Sequence, residues 1–249
     1  MVFVAVFLLV AVWESVRPLA PLREAAELRW PRNGLPFLIM LAIASIALRL
    51  SPVAVAAAVA PRDFPSVHQL PAPLAWTLTL LLLDSIYYWV HRASHAFRPL
   101  WRMHAVHHSD ADYDVTTALR FHPLEPLVNR VAHLAGIALL APPTEAVIAS
   151  QLLTTVLNLT AHANAALPAP LSRLLRWLFI TPDLHRVHHS ILREDYDCNF
   201  GQSFSLWDRL FGTYREKPAG ATFATGLEEA PGGMPNLVAL LAAPFRARQ

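Results

Sequence analysis

Two copies of one pattern constrain this chain more than anything else in it. "HAVHH" (104–108) and "HRVHH" (185–189) both read H-x-x-H-H, and "HRASH" (91–95) adds a shorter H-x-x-x-H just ahead of the first copy. Spacings of three and four bring side chains onto one face only where the backbone is helical, with Cβ atoms about 5–6 Å apart. His104, His107 and His108 then share one helical face, His185, His188 and His189 another, and His91 and His95 a third. With 12 histidines in 249 residues, frequency alone makes three specified positions all histidine about 0.03 times per chain. A doubled pattern is therefore not coincidence. The alternative to a metal site is a surface cluster that titrates as a pH sensor, and the spacing favours metal.

The rest of the chain says what such helices are embedded in. It is 55% hydrophobic and 15% charged, against about a quarter charged in soluble domains. Glycine is scarce (8) and proline frequent (21), which suits proline-punctuated helices better than a sheet. We expect an all-α, polytopic membrane protein. Residues 1–13 are apolar throughout and lack both the basic start and the small-residue cleavage site of a signal peptide, so they read as an uncleaved first span to about residue 16. Further apolar runs cover 34–60, about 70–90 with the single acid Asp84, and about 126–163, where Pro142-Pro143 marks a hairpin turn. A span needs roughly 20 apolar residues. Several runs are marginal, and about four transmembrane or re-entrant helices are expected.

Positive charge orients them. Arg17, Arg23, Arg29 and Arg32 fall in the first loop, only Arg49 and Arg62 in the second, and 14 of the 20 basic residues lie beyond residue 90. With Met1 outside, the third span re-emerges in the cytosol near His91, and a hairpin at 126–163 returns the second H-x-x-H-H to the same side. All histidine clusters then form a helical metal-binding cap on the cytosolic face of the membrane. Three regions follow: membrane spans at 1–70, the histidine-bearing domain at 71–216, and a tail at 217–249 whose "NLVALLAAPF" is too short to span and suits the membrane surface. Topology accounts for the basic excess, and no nucleic-acid module is present. The lone Cys198 excludes an internal disulfide, a zinc ribbon and a cysteine-held iron–sulfur cluster.

Imidazole suits iron, zinc, copper or nickel. Eight histidines in three clusters exceed the needs of one ion, so two metals are expected. Neutral rings do not cancel the charge of two cations, and nearby acids should orient them. Asp84, seven residues before His91 on the same helical face, and Asp183, just before His185, are the candidates. The plainer roles are a membrane-interface charge or a helix cap, although an acid within an apolar span is costly without a partner. His162 follows Asn158 by four residues at the end of the last span, so His162 reads as a ligand and Asn158 as a direct or water-mediated one. His122, in "RFHPLE", stands between ring-orienting and structural roles, whereas the isolated His68 and His133 read as structural. A membrane zinc hydrolase would carry a glutamate base, as in H-E-x-x-H, and none occurs. A metal carrier or sensor would spread its ligands along the spans rather than gather them on one face.

At this point the motifs resemble a known family. "HRASH", "HAVHH" and "HRVHH" are similar to the three histidine boxes of the fatty acid hydroxylase/sterol desaturase superfamily, and "DVTTALRFHPLE", "TPDLHRVHHS" and "NFGQSFSLWDRLFGTY" resemble its bacterial members. The resemblance covers roughly 75–216. It implies an all-helical enzyme of the bacterial inner membrane with a non-haem di-iron centre, using O2 to hydroxylate or desaturate a lipid. Its implied iron ligands are His91, His95, His104, His107, His108, His162, His185, His188 and His189. Asn158 stands where some relatives have histidine and implies a weakened tenth ligand. The H-x-x-x-H spacing does not separate hydroxylase from desaturase. Fatty acyl, sterol or hopanoid, carotenoid and ether-lipid substrates all remain open.

Each turnover needs two electrons. No dinucleotide fingerprint, haem motif or flavin motif is present, so a separate donor is expected, a ferredoxin or cytochrome with its reductase. Arg98, Arg102, Arg173, Arg176 and Arg186 either dock an acidic donor or follow membrane topology alone. Tyr87, Tyr88, Trp89 and Trp101 line a substrate channel or, as we prefer, form an interfacial belt. "WDRLFGTY" (207–214) closes the domain, with Asp208 structural.

Overall fold

A computed structural model describes residues 2–47, 51–59, 66–218, 221–230, 232–234 and 236–245. All regular secondary structure among them is helical, as expected; three isolated β-bridges, Pro18–Ala165, Phe179–Phe204 and Ser190–Thr225, join loops. The frame is the helix Ala72–Ala96, the fourth in chain order (α4). Pro71 precedes it and Pro73 sits in its first turn, where a missing N–H costs nothing. From Leu74 to Ala96 no glycine or proline interrupts it. Its 25 residues extend about 37 Å, and among the described residues it is the one helix long and apolar enough to cross a membrane.

Helices α1 (Val2–Val16), α2 (Ala26–Ala47) and α3 (Pro52–Val59) precede it; α5 (Arg98–His108), α6 (Glu125–Leu140) and α7 (Thr144–Ala161) follow. Both α6 and α7 pack along α4, α3 lies against them, and α1 lies on α7. The α6–α7 hairpin turns at Ala141, left-handed at φ 41°, followed by Pro142 and Pro143. The other apolar runs do not form simple spans. Helix α1 has 15 residues, short of the roughly 20 required. The run 34–60 is divided: α2 begins upstream of it with Pro31 and Pro36 inside, and α3 starts anew at Pro52. Hydropathy registers the apolar run but not these breaks.

The usual distribution is partly inverted: many polar groups are buried beside two apolar core clusters, and many large apolar side chains are exposed. Leu8, Leu9, Val12, Leu38, Val131 and Leu139 are exposed, whereas Arg29, Asn33, Asp110, Asp114 and Arg120 are buried. Hydrocarbon as solvent favours that inversion, because polar groups must find their partners inside. Arg29, counted above as a topological charge in a loop, is fully buried on α2. Its guanidinium pairs with Asp110 (3.5 Å), Asp112 (3.3 Å) and Asp114 (2.9 Å), the acids of "SDADYD" after α5. One turn on, Asn33 donates to Asp110 at 2.9 Å and accepts from Arg120 at 2.8 Å. The N-terminal part of the chain is thereby locked to the loop behind the second histidine box. Arg49 and Arg62, used in the same charge count, lie outside the described residues.

Candidate metal centre

Four pieces of backbone supply the histidines. His91 and His95 end α4, and the single residue Phe97 turns the chain into α5. That helix carries His104, His107 and His108. His162 caps the C-terminus of α7. After α8 (Ala169–Leu175), Thr181 is extended and Pro182 opens α9 (Pro182–His188), which presents His185 and His188 and ends at His189.

The structure brings all nine of these histidines together, but not box by box. His91, His95, His104, His108 and His188 form one group, and His107, His162, His185 and His189 a second; within each group the candidate ligand atoms lie within 4.8 Å of one another. Consecutive helical residues point about 100° apart at 3.6 residues per turn. The adjacent pairs His107/His108 and His188/His189 are therefore each divided between the groups.

Six rings are held from behind by their Nδ1 atoms. His91 donates to the Phe200 carbonyl (2.9 Å), His107 to that of Arg120 (3.2 Å), His162 to that of Asn158 (2.8 Å) and His188 to that of Cys198 (2.7 Å). His104 donates to the Glu125 carboxylate (2.7 Å) and His95 to Asp197 (3.3 Å). A proton fixed on Nδ1 leaves the Nε2 lone pair facing inward. Nε2 atoms meet at 3.0 Å (His91–His104), 3.1 Å (His104–His108), 3.2 Å (His107–His162) and 3.0 Å (His162–His185). Those of His95, His188 and His189 are buried without any partner. Burial holds the rings of His107, His108, His185 and His189 well below the usual imidazole range, that of His162 at about 4 and that of His188 at about 3. Neutral rings with converging lone pairs and no protein partner are the state in which imidazoles bind metal. The donor set fits a pair of cations of the iron–zinc–copper class.

The acids that touch the rings are not those expected from the sequence. Glu125, the first residue of α6, and Asp197, in the loop after α10 (Arg193–Tyr196), hold His104 and His95. Asp84 touches no histidine. Its carboxylate accepts from the Ser203 and Phe204 amides (3.0 and 3.3 Å) and from Trp207 Nε1 (3.0 Å). Asp208, in α11 (Leu206–Leu210), accepts from the Phe200 and Gly201 amides (2.7 and 2.8 Å). A Cβ at Gly201 would lie 2.5 Å from the Phe204 carbonyl, so only glycine fits that bend. Asp84 and Asp208 thus shape the loop whose carbonyls at 198 and 200 orient His188 and His91. Asp183 turns away from the histidines to Ser172, Thr181 and Arg176. Burial alone would raise its pKa, but those hydrogen bonds bring it below the ordinary value. The Asn158 side chain accepts from Gln202 (3.0 Å), and its backbone carbonyl serves His162.

Other histidines stay outside both groups. His122 accepts from the Leu124 amide (3.4 Å). His133 bridges α6 to α4 between the Asn129 and Leu83 carbonyls (2.9 and 3.0 Å). His68 lies in a 3-10 turn ahead of α4. Of the four aromatic candidates, Tyr87 lines the cavity described next. Tyr88 and Trp89 pack on Phe211, and Trp101 stacks on Tyr196. Arg176 and Arg186, two of the five candidate docking arginines, are buried.

A cavity of about 450 Å3 runs from Phe3, Phe37 and Met40 to His91 and His104 of the first group and to His107, His162 and His185 of the second. Apolar side chains of α1 and α2 line it together with Gln151, Thr155 and Arg130. One cavity therefore opens on both histidine groups.

Residues 76–213 match the family model for fatty acid hydroxylase. The chain is 35% identical over 144 residues to the alkylglycerol monooxygenase of Xenopus tropicalis, covering 57% of this chain and 31% of that protein. It is 30% identical over 160 residues to the ornithine lipid hydroxylase OlsE of Rhizobium tropici, covering 64% and 47%. It is 31% identical over 154 residues to the very-long-chain aldehyde decarbonylase GL1-8 of Oryza sativa subsp. indica, covering 59% and 56%. The matched region thus spans about a third to just over half the length of these relatives. No solved structure matches the chain.

Proposed function

The chain belongs to the fatty acid hydroxylase family, and on that premise we propose that it inserts oxygen from O2 into a C–H bond of a membrane lipid at a centre of two irons. The observation that carries this reading is the single cavity opening on both histidine groups. Two irons, when bound, would pass the donor's electrons to O2, the oxidant that an unactivated C–H bond requires. The ligands would be His91, His95, His104, His108 and His188 for one ion and His107, His162, His185 and His189 for the other.

The chain's own residues provide the setting. Glu125, Asp197 and the carbonyls of residues 120, 158, 198 and 200 hold the rings in one tautomer. Burial of seven of the nine rings, with His91 and His95 partly covered, limits the access of water. Phe3, Phe37 and Met40 receive an apolar chain, while Gln151, Thr155 and Arg130 offer hydrogen bonds to a polar head. This mixed lining, with relatives named for alkylglycerol and ornithine lipid, favours an amphipathic lipid over a carotenoid. Hydroxylation is the reading we adopt, and desaturation is its close alternative.

We place the protein in a bacterial inner membrane with α4 spanning, α1, α2 and the α6–α7 hairpin entering as shorter or re-entrant segments, and the histidines toward the cytosol. Residues 1–70 form the membrane part, 71–216 the histidine-bearing domain and 217–249 a surface tail. A separate ferredoxin or cytochrome supplies electrons. Arg98, Arg102 and Arg173 remain available to meet it, because Arg176 is paired with Asp183 and Glu216. Metal analysis of anaerobically purified protein, combined with O2 uptake on a lipid extract, tests the reading. Two irons per chain and reductant-dependent O2 consumption are expected. Stoichiometric zinc, with no O2 consumption after iron reconstitution, would overturn it.

A further inference from the structure

A second cavity, of about 260 Å3, has in its wall Tyr113, the residue that packs against His162 and His189. Tyr113 and Arg186 line it, and two further segments close it: residues 20–23 between α1 and α2, and residues 222–225 of the tail. Both segments fall outside the region that matches the family model. The Tyr113 ring packs against His189 (5.0 Å) and His162 (5.8 Å).

Arg186 is 5% exposed. Its Cζ lies 5.4 Å from the Tyr113 ring centre and 5.9 Å from that of Phe223. Its hydrogen bond is from Nη1 to Asn164 Oδ1, at 3.4 Å, and Nε has no partner. The other buried arginines have carboxylate partners or several hydrogen bonds. Arg29 has three aspartates, Arg176 has Asp183 and Glu216, and Arg120 donates to Asn33, Ser109 and the Val106 carbonyl. Among the described residues no carboxylate reaches ion-pair distance of Arg186. The other charged residues lining the cavity are Arg23 and Asp112. The Asp112 carboxylate is already engaged by the Arg23 and Glu24 amides (2.9 Å each) and by Arg29 (3.3 Å). The Tyr113 and Phe223 rings flank the guanidinium within cation–π range but supply no counter-charge, so its N–H groups remain the place for an anion. A buried cation without a counter-charge is costly.

We propose that this cavity binds an oxyanion, a phosphate or carboxylate group, against the edge of the Arg186 guanidinium. The anion would then brace α9 between His185 and His188. The proposal does not depend on the iron chemistry, and its test needs no turnover.

The full chain, metal-loaded and held in nanodiscs of neutral lipid, is melted with and without saturating inorganic phosphate, chloride keeping the ionic strength constant. A parallel arm replaces part of the neutral lipid with an anionic phospholipid. We expect Tm to rise by about 2–4 °C in at least one arm. A rise with inorganic phosphate identifies a free anion; a rise only with anionic lipid identifies a headgroup. Arg186→Gln should abolish the response. Thr222→Glu, which supplies an internal carboxylate at the exposed rim, should abolish it too while leaving the protein folded. No rise in either arm, or a rise that persists in Thr222→Glu, overturns the proposal.

Discussion

The Nδ1 of His104 donates to the carboxylate of Glu125 at 2.7 Å, and both side chains are buried. No other histidine of the two groups has so close a carboxylate. Glu125 opens α6, so this contact ties the position of that helix to the orientation of a ring of the first histidine group.

Replacing Glu125 should therefore loosen the centre without removing a ligand. Glu125→Ala is expected to weaken iron binding about 10–100-fold. Glu125→Gln should cost less, because its amide oxygen still accepts the hydrogen bond. Iron content after dialysis against a graded chelator series measures both. Equal retention in wild type and Glu125→Ala would remove this role.

Asp84 is expected to act on stability before it acts on metal. Asp84→Ala leaves two buried amides and the Trp207 indole N–H unsatisfied, at about 1–3 kcal/mol for each buried donor. The melting temperature should fall clearly, and iron should be lost only as the loop carrying Phe200 relaxes. Full iron loss at an unchanged melting temperature would instead support direct contact with a metal-bound group.

Asp208 gives a pH dependence with a definite sign. Burial raises its pKa from 3.8 to about 6, against the hydrogen bonds from Thr213, Gly201 and Phe200. A raised carboxyl pKa means that the folded state holds the proton more tightly than the unfolded one. Its contribution to stability is greatest below about pH 4 and diminishes as pH rises to 6. Relative to Asp208→Asn, the wild type should lose stability on the order of 2 kcal/mol across that window and change little above it. Unfolding curves of both proteins from pH 4 to 8 provide the check; parallel curves would contradict it.

Metal removal should be visible without any substrate. A strong chelator leaves two sets of neutral imidazoles whose Nε2 atoms face one another. We expect Tm to fall by about 5–10 °C and to recover on adding Fe2+. A melting curve indifferent to chelation would argue against a metal at these histidines.

The cavity can be narrowed at a residue that is not itself a candidate ligand. Leu119→Trp adds bulk to its wall and should reduce turnover of a long-chain lipid about 10-fold at constant iron content, with a smaller loss for shorter chains. A uniform loss across chain lengths would place the substrate elsewhere.

The histidine faces were legible because spacings of three and four have meaning only on a helix. The division into groups of five and four could be read only in part. The angle between neighbours separates His107 from His108, but which partner each meets depends on how α5, α7 and α9 cross. The acids were harder still. Asp84 and Asp183 drew attention by lying near histidines in sequence, whereas Glu125 and Asp197 reach their rings across 21 and 102 residues. Glu125 did lie inside the "RFHPLE" segment that resembled the family, and that was the available signal. Charge counting took Arg29 and Arg186 for surface residues, because composition does not reveal which arginines turn inward.

Arg29 also sets an order of events for a chain made from its N-terminus. It is synthesised 85 residues before Asp114, and the aspartates that neutralise it arrive only after the first six histidines. Until then the nascent chain holds a cation on α2 whose three carboxylate partners have not yet been made. Assembly of the N-terminal helices is thus tied to completion of the second histidine box, and a polypeptide stalled before residue 110 would present the quality-control machinery with an unpaired charge where the mature protein has none.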